Sequence, residues 1–457
     1  MSKKIKLPEH PKKHHLPFRP VHIAILLLGI LIGLAGSYRG GYIQPREFDV
    51  NQATPGVVKI YHIVCGTLNY QGQDYGDDTC DAAVGSGFLI SSDGYVATSG
   101  HVVVQDAADV LAKELQDNPF LLNQFAASAK FDLKPNQGES NESAFLRRLY
   151  ELPEEQLKLE NRREAIFVAI SDRPLVLDQA EPKKVFDQPD TDFIKKAEVV
   201  ATDYAAQDIL AINSKNNDGF SAHDVALLKI NTRNAPALAL GDASNVNQND
   251  PVTLVGFPAD ADNQLTANNI ITPSITGGNV SSIRATSGKI SRLFQSDADA
   301  SQGNSGGPAL NKDGEVIGIV TYRFKDDEVA NAAKSYIREI NDLQQLLSSR
   351  SIALRTDSLA NQYWQTGLEL ASQNKHSQAI EQYKLALKEY PAHRLARSYI
   401  NQAEQAIKDG KDVKEPPYAL ILTLGAIILG STMIIVSAVL ISHHRLQHHR
   451  YKTKFKK

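Results

Sequence analysis

The stretch Asp297-Ala298-Asp299-Ala300-Ser301-Gln302-Gly303-Asn304-Ser305-Gly306-Gly307-Pro308 decides how this chain is read. Ser305 is flanked by Gly303, Gly306 and Gly307 and stands just before an apolar, strand-like run, Glu315-Val316-Ile317-Gly318-Ile319-Val320. Glycines on both sides of a serine let the backbone turn sharply and point its N–H groups inward. An acyl-transfer nucleophile needs that geometry: an exposed hydroxyl beside donors for a developing oxyanion. The same residues also suit a plain Gly/Ser-rich turn between strands, so the reading depends on what the rest of the chain supplies.

The chain has 457 residues, enough for two or three domains. Its formal net charge of −3 is unevenly spread: residues 1–20 hold six Lys/Arg and one acidic residue, and residues 443–457 hold six Lys/Arg and none. The middle then carries 37 basic and 51 acidic residues, a net of −14, which argues against nucleic acid as a partner. The basic ends flank two apolar runs. Tyr418 to Ser442 is uncharged for 25 residues, enough to span a bilayer with some tilt. Val21 to Gly36 is shorter and follows a Lys-rich start, so it reads as an uncleaved helix over 21–38 or as the core of a signal peptide, for which Ala35-Gly36-Ser37 is the nearest approach to a cleavage site. Positive flanks put both termini in the cytoplasm and the 379 residues from Arg39 to Pro417 outside. Gly29 and Gly33 form a G-x-x-x-G by which the first helix could pack on the second. The tail histidines, His443, His444, His448 and His449, belong with the basic flank at the headgroups rather than with a metal site.

Two cysteines, Cys65 and Cys80, lie in the external region, where disulfides persist. Asn69 to Asp78 between them, rich in Gly, Asp and Gln, reads as a hairpin loop, and a bridge across that hairpin is expected over two independent thiols. Residues 39–55 are a linker. Short strand-like runs then recur: 56–64, 85–90, 95–98 after the hairpin signal Ser92-Asp93-Gly94, 165–170, 197–201, 224–230, 252–257, 278–283, 289–294 and 315–320. Many short strands with regular turns indicate antiparallel barrels or sandwiches. Between them, Asp106–Leu122 and Glu142–Glu164 have helical spacing and make an insertion at about 105–163. Residues 328–355 read as a helix with Tyr336, Ile337, Ile340, Leu343, Leu346 and Leu347 on one face. Residues 358–409 carry Tyr363, Gly367, Leu370, Ala379, Tyr383, Ala386 and Pro391, a spacing that resembles one tetratricopeptide repeat, or equally a generic helical hairpin acting as a spacer. Such a unit cannot bury its face alone and must dock on the preceding helix or on a protein partner. Lys408 to Pro417 links it to the second apolar run.

Nucleophilic serine catalysis needs a base within reach of the serine and a carboxylate orienting that base. The candidates come in the order His101, Asp224, Ser305. Gly85-Ser86-Gly87-Phe88, Thr98-Ser99-Gly100-His101-Val102-Val103, Asp224-Val225-Ala226-Leu227-Leu228-Lys229-Ile230 and Gly303-Asn304-Ser305-Gly306-Gly307-Pro308 together resemble the motifs of trypsin-like serine proteases, most closely the bacterial HtrA/Deg branch. Leu240-Gly241-Asp242-Ala243-Ser244 and Val255-Gly256-Phe257-Pro258 match that branch too. The resemblance covers roughly 55–350. It implies a mainly β double barrel, two six-stranded antiparallel barrels over 56–350 with the triad in the cleft between them. His101 is then general base, Asp224 orients it, Ser305 attacks, and the N–H groups of Gly303 and Ser305 form the oxyanion hole. The strand Val320-Thr321-Tyr322 would pair with substrate backbone.

The departures are specific. The 122 residues between His101 and Asp224 exceed what that branch carries, and no PDZ-like domain follows; helices replace it. The run Ala206-Gln207-Asp208-Ile209-Leu210 partly mimics the aspartate motif, but Asp224 fits throughout. Asp299, six residues before Ser305, stands where trypsin-like folds line the base of the primary pocket, so it implies basic P1 residues; a surface-loop carboxylate, with small apolar P1, is the other reading. The sequence thus reads as a plasma-membrane-anchored serine endopeptidase facing the extracytoplasmic side and acting on exposed or misfolded proteins and peptides. No metal or organic cofactor is implied. The alternative is a membrane-tethered, protease-like binding scaffold with little or no activity.

Overall fold

A computed structural model describes residues 27–32, 49–117, 125, 127, 141–153, 155–175, 182–204, 224–258, 270–285, 291–301, 303–324, 334–413 and 419–454. The chain divides into two compact units, Phe48–Val413 and a second made of Met1–Glu47 with Lys414–Lys457.

Among the described residues, twelve strands build the larger unit. β1 (Val57–Tyr70), β2 (Gln73–Leu89), β3 (Tyr95–Thr98), β4 (Leu157–Ala169), β5 (Ile194–Asp203) and β6 (Val225–Ile230) close in the order β1-β2-β3-β6-β5-β4. β7 (Pro251–Gly256), β8 (Ser274–Ala285), β9 (Arg292–Ser296), β10 (Pro308–Leu310), β11 (Val316–Phe324) and β12 (Lys334–Glu339) close in the order β10-β11-β12-β9-β8-β7. Closure removes the exposed edges that open sheets must blunt. The expected double barrel is therefore present. β1 shows why its sequence reads as an unbroken apolar run rather than an alternating one. Val57, Tyr61 and Ile63 enter a core shared with the second barrel, while Val58 and Ile60 enter another with Val96, Leu228, Ala360 and Tyr390.

The β1–β2 hairpin is longer than its sequence suggests. Pairing continues to Tyr70↔Gln73, so the expected loop at 69–78 shrinks to a turn at Gln71-Gly72, both with positive φ, the backbone that matches strand twist in tight hairpins. Cys65 and Cys80 face each other across this ladder and are joined by a disulfide of 2.04 Å. The hairpin at Ser92-Asp93-Gly94 is as expected, with Gly94 at φ +98.

After β3 come a one-turn helix α1 (Gly100–Val103), then α2 (Ala107–Asp117) and α3 (Asn141–Tyr150). The helix expected to run to Glu164 ends at Tyr150, because from Leu157 the chain pairs with β1, Leu157 opposite Tyr70 and Leu159 opposite Leu68. The insertion therefore stops short of β4. Val110, Leu111, Leu115, Phe145 and Leu149 pack with Leu68, Tyr70 and Tyr75 on the outer half of the β1–β2 hairpin.

The helix expected over 328–355 is also corrected. Residues 334–339 are β12, held between β9 and β11 with Ile337 opposite both Phe294 and Val320. Helix α4 (Ile340–Ser349) starts only after Glu339. Tyr336 and Ile337 are buried by the barrel, not by a helical face.

Three helices follow where a hairpin is expected: α5 (Leu359–Ser372), α6 (His376–Glu389) and α7 (Ala396–Lys408). Trp364, Tyr383, Ala379 and Ala396 form their core. A side chain at Gly367 would lie 2.3 Å from the Tyr383 ring, so glycine is required there. The unit docks on the barrels: Trp364 Nε1 donates to Asn51 O at 2.8 Å, Ser358 Oγ to Asn234 O at 2.9 Å, and Asn234 Nδ2 to Glu389 Oε2 at 2.9 Å. Buried Arg394, between α6 and α7, donates to Val57 O and Ala169 O of the first barrel and to Ile271 O beside the second, with its guanidinium 4.8 Å from the Phe257 ring centroid.

In the smaller unit, residues 27–32 are helical and α8 (Ala419–Lys454) is one helix that runs on through much of the basic tail. Buried Gly29 meets Met433 and Gly430 so closely that a Cβ would sit 2.9 Å from Met433 Cβ, the close approach expected of the G-x-x-x-G; Gly33 lies outside the described residues. Among the described residues, no helix is long and apolar enough to cross a membrane. Most of the run 21–38, and Tyr418 at the start of the second run, lie outside the described residues.

Two measurements check the packing. Serine at both Cys65 and Cys80 opens a 15-residue link and should lower stability by about 3 kcal/mol in the chain-entropy account; an unchanged denaturation midpoint would contradict it. His393 is buried, accepts from Ala396 N at 3.2 Å and lies against Trp364; burial pushes its pKa down to about 3. The unfolded state binds a proton near 6.5 and the folded state near 3, so this residue's contribution is intact above 6.5 and is lost on acidification through that window, at about 1.4 kcal/mol per pH unit. His393→Asn keeps an acceptor for Ala396, and the wild-type minus variant stability difference should fall with that slope between pH 6 and 4; a flat difference would disprove it.

Candidate active site

Strand pairing brings the first two candidates together. Thr98 at the end of β3 lies opposite Ala226 near the start of β6, so His101 in α1 and Asp224 just before β6 emerge side by side. Asp224 Oδ1 accepts from His101 N at 2.9 Å, and Oδ2 bonds His101 Nδ1 at 2.7 Å. A carboxylate only accepts, so Nδ1 carries the proton and Nε2 is left as the acceptor. Thr321 Oγ1 of β11 also donates to Asp224 Oδ2. Burial pushes the Asp224 pKa up, but the His101 charge and the bonds from His101 and Thr321 outweigh it and hold the carboxyl below its usual range. For His101, burial pushes down and the Asp224 charge and hydrogen bond push up, with a net rise above 6.5 to which Asp109 of α2 adds.

Ser305 comes from the other barrel, in the loop between β9 and β10. Gly303 and Gly306 have φ of +97 and +85, and a side chain at Gly306 would lie 2.1 Å from Ser86 O and Thr98 Oγ1. The loop is stitched to β11 by Gly306 N to Val320 O at 2.7 Å and Val320 N to Gly307 O at 2.9 Å, and to β2 by Ser86 N to Ser305 O at 2.8 Å. Ser305 Oγ donates to Thr321 O at 3.0 Å rather than to His101. Thr321 therefore bridges the barrels, its hydroxyl on Asp224 and its carbonyl on the serine. Among the described residues, the N–H groups of Gly303 and Ser305 are donated to no other group.

The expected substrate strand is only partly available. Val320 is used up internally: its N–H goes to Gly307, and its carbonyl accepts from Gly306 N and, at 3.0 Å, from Ser99 Oγ. β10 pairs with β11 only as far as Ile319, whereas Tyr322 continues opposite Tyr336 of β12. The edge that remains for a partner strand among the described residues starts at Thr321 and includes Tyr322. Asp299 is exposed, with Thr276 Oγ1 on its carbonyl at 2.7 Å, so the buried pocket carboxylate that a basic-P1 reading requires is not what this position presents. Asp208, the alternative aspartate, lies outside the described residues. Sequence reasoning missed Tyr204, whose ring packs edge-on 6.4 Å from His101, and any role for Ser86, whose motif was visible as Gly85-Ser86-Gly87.

Two closed six-stranded barrels thus carry a His–Asp pair on one and a serine set among glycines on the other. Residues 169–319 match the family model described as trypsin-like peptidase domain. Among curated proteins, the probable periplasmic serine endoprotease DegP-like of Halomonas elongata is 38% identical over 103 residues, 22% of this chain and 20% of the relative. The putative serine protease HhoB of Synechocystis sp. is 35% identical over 98 residues, 21% and 23% respectively, and the serine protease Do-like HtrA of Bacillus subtilis 33% over 113 residues, 24% of each. The chain thus spans about a fifth to a quarter of the length of these relatives. A solved structure, HtrA-type protease AlgW with decapeptide, is 16% identical over 67% of each chain with a TM-score of 0.35, too distant a likeness to carry an argument.

The His101–Asp224 pair predicts a titration. By NMR the His101 imidazole should have its midpoint above 6.5, and Asp224→Asn should lower it, because the variant loses the charge that favours imidazolium. An unchanged midpoint in Asp224→Asn would show that the two do not interact as described.

Proposed function

We propose that the chain is a membrane-anchored serine endopeptidase that hydrolyses peptide bonds of exposed or misfolded proteins on the extracytoplasmic side. The observation that carries this is the hydrogen-bonded series from His101 through Asp224 and Thr321 to Ser305, which crosses from one barrel to the other. In this reading substrate binding turns Ser305 Oγ from Thr321 O to His101 Nε2. The hydroxyl proton passes to Nε2 as Oγ adds to the scissile carbonyl, Asp224 stabilises the imidazolium, and the N–H groups of Gly303 and Ser305 receive the oxyanion. The imidazolium returns its proton to the leaving amine, and a water repeats the sequence to release the acyl group. Substrate backbone pairs with β11 from Thr321 onward.

Anchoring is supported by the sequence and by exposure. The two helices of the smaller unit meet at Gly29, yet Leu27, Leu31, Ile428, Ile435 and Val439 stay largely exposed around them, as suits lipid rather than water. The uncharged run 418–442 is long enough to cross a bilayer, and basic residues on both ends place the termini in the cytoplasm. The disulfide agrees with an oxidising compartment. The helical unit spends its inner face on the barrels, so a partner would use its outer face.

The bond from Ser305 to Thr321 favours one rival, a protease-like scaffold with a resting serine. A fluorophosphonate probe separates the two. The full chain in detergent should be labelled and should cleave an unfolded protein, and Ser305→Ala should abolish both, a loss of roughly 10⁶-fold in turnover; an unlabelled wild type, or a folded Ser305→Ala with ordinary turnover, would sink the assignment. A P1-varied peptide library with Asp299→Ser then assigns the primary preference: loss of Arg and Lys cleavage in the variant alone restores a pocket role to Asp299.

A further inference from the structure

Ser86 on β2 is fully buried, and each of its polar groups is bonded within the site. Its N–H donates to Ser305 O at 2.8 Å. Its carbonyl accepts from Thr98 Oγ1 at 2.7 Å. Its hydroxyl accepts from Phe257 N at 2.8 Å and donates to Gly303 O at 2.7 Å. The direction of that last bond is fixed by chemistry: a backbone N–H only donates and a carbonyl only accepts, so the single hydroxyl proton must go to Gly303. Three glycines clear the space. A Cβ at Gly256 would lie 3.0 Å from Ser86 Oγ, one at Gly306 2.1 Å from Ser86 O, and one at Gly307 3.4 Å from Ser86 Cβ.

The two carbonyls that Ser86 holds belong to the residues whose N–H groups stand undonated. With both tied, the Gly303–Asn304 and Ser305–Gly306 peptide units cannot turn, and the Asn304–Ser305 unit, which carries the Ser305 N–H, lies between two anchors. A loop with glycine at 303, 306 and 307 has little intrinsic stiffness, so its geometry has to be imposed from outside.

We propose that Ser86 is a positioning residue for the oxyanion hole, its hydroxyl fixing the Gly303-Asn304-Ser305 backbone before substrate arrives. This rests on the serine-endopeptidase reading. Ser86 touches no reacting atom and acts through Gly303 and Ser305, so its removal should weaken binding of the transition state and leave binding of substrate alone.

The test uses the full chain with Ser86→Ala and Ser86→Cys, counting competent sites by fluorophosphonate titration. A peptide boronate, whose tetrahedral adduct puts an oxygen in the hole, is the transition-state probe. Per titrated site, Ser86→Ala should lose on the order of 10² in kcat with KM within about twofold, and boronate affinity should fall by the same factor. Ser86→Cys, a weaker donor in the same place, should fall between. Unchanged kcat per site, or a loss of kcat with boronate affinity intact, overturns the proposal. If Ser86→Ala does not fold, the same two ratios in Ser86→Cys decide. An unlabelled wild type removes the endopeptidase reading and this proposal together, whereas a labelled, active wild type with an unaffected Ser86 variant removes only this one.

Discussion

Asp224 is buried where the two barrels meet, and both of its oxygens are taken: one by the His101 N–H, the other by His101 Nδ1 and the Thr321 hydroxyl. A carboxylate so placed is stable as an anion only while donors surround it. Those donors come from different parts of the molecule, a short helix after β3 in the first barrel and strand β11 in the second. The arrangement therefore constrains the registers on both sides. Shifting β3 against β6 by one residue would turn His101 away, and shifting β11 would withdraw Thr321 from Asp224 and its carbonyl from Ser305.

Much of this was legible because chemistry fixes residue type tightly at a few places. His101, Asp224 and the glycines around Ser305 could be placed from short motifs, since a His–carboxylate pair and a tightly turned serine admit few substitutes. The β1 to β3 hairpins were legible from turn residues. What misled was amphipathic spacing near strand boundaries. Leu157, Leu159 and the charged residues after them satisfy a helical pattern, and Tyr336, Ile337 and Ile340 do too, but each segment completes a barrel, and closure outweighs local preference. Val320 and Ser86 show a different limit of the sequence. Whether a backbone group is free for substrate, or a small serine holds a loop, depends on partners more than 200 residues away in sequence, such as Ser99 with Val320 or Ser86 with Gly303, and no local pattern records them.

The C-terminal helices resemble an appended domain in sequence, yet they behave as part of the barrel body. Ala360, Tyr390 and Ala392 share a core with Val58 and Ile60 of β1, and Trp364 reaches back to Asn51 at the entry to the first strand. Helix α4 serves the second barrel in the same way, with Ile340 and Leu343 in its core. The described part of the insertion packs on the outer end of the β1–β2 hairpin, and Asp109 contributes charge toward His101.

Arg394 has a consequence for the order in which the molecule is assembled. It binds the carbonyls of Val57 and Ala169 on one side and of Ile271 on the other, contacts that span most of the length of the larger unit. On a ribosome the strands of both barrels are complete by Glu339, but this set of bonds cannot form until residue 394 has been made and has left the exit tunnel. These bonds are thus made only after His101, Asp224 and Ser305 have all been synthesised, and a nascent chain carries those side chains for some time before the body around them is closed.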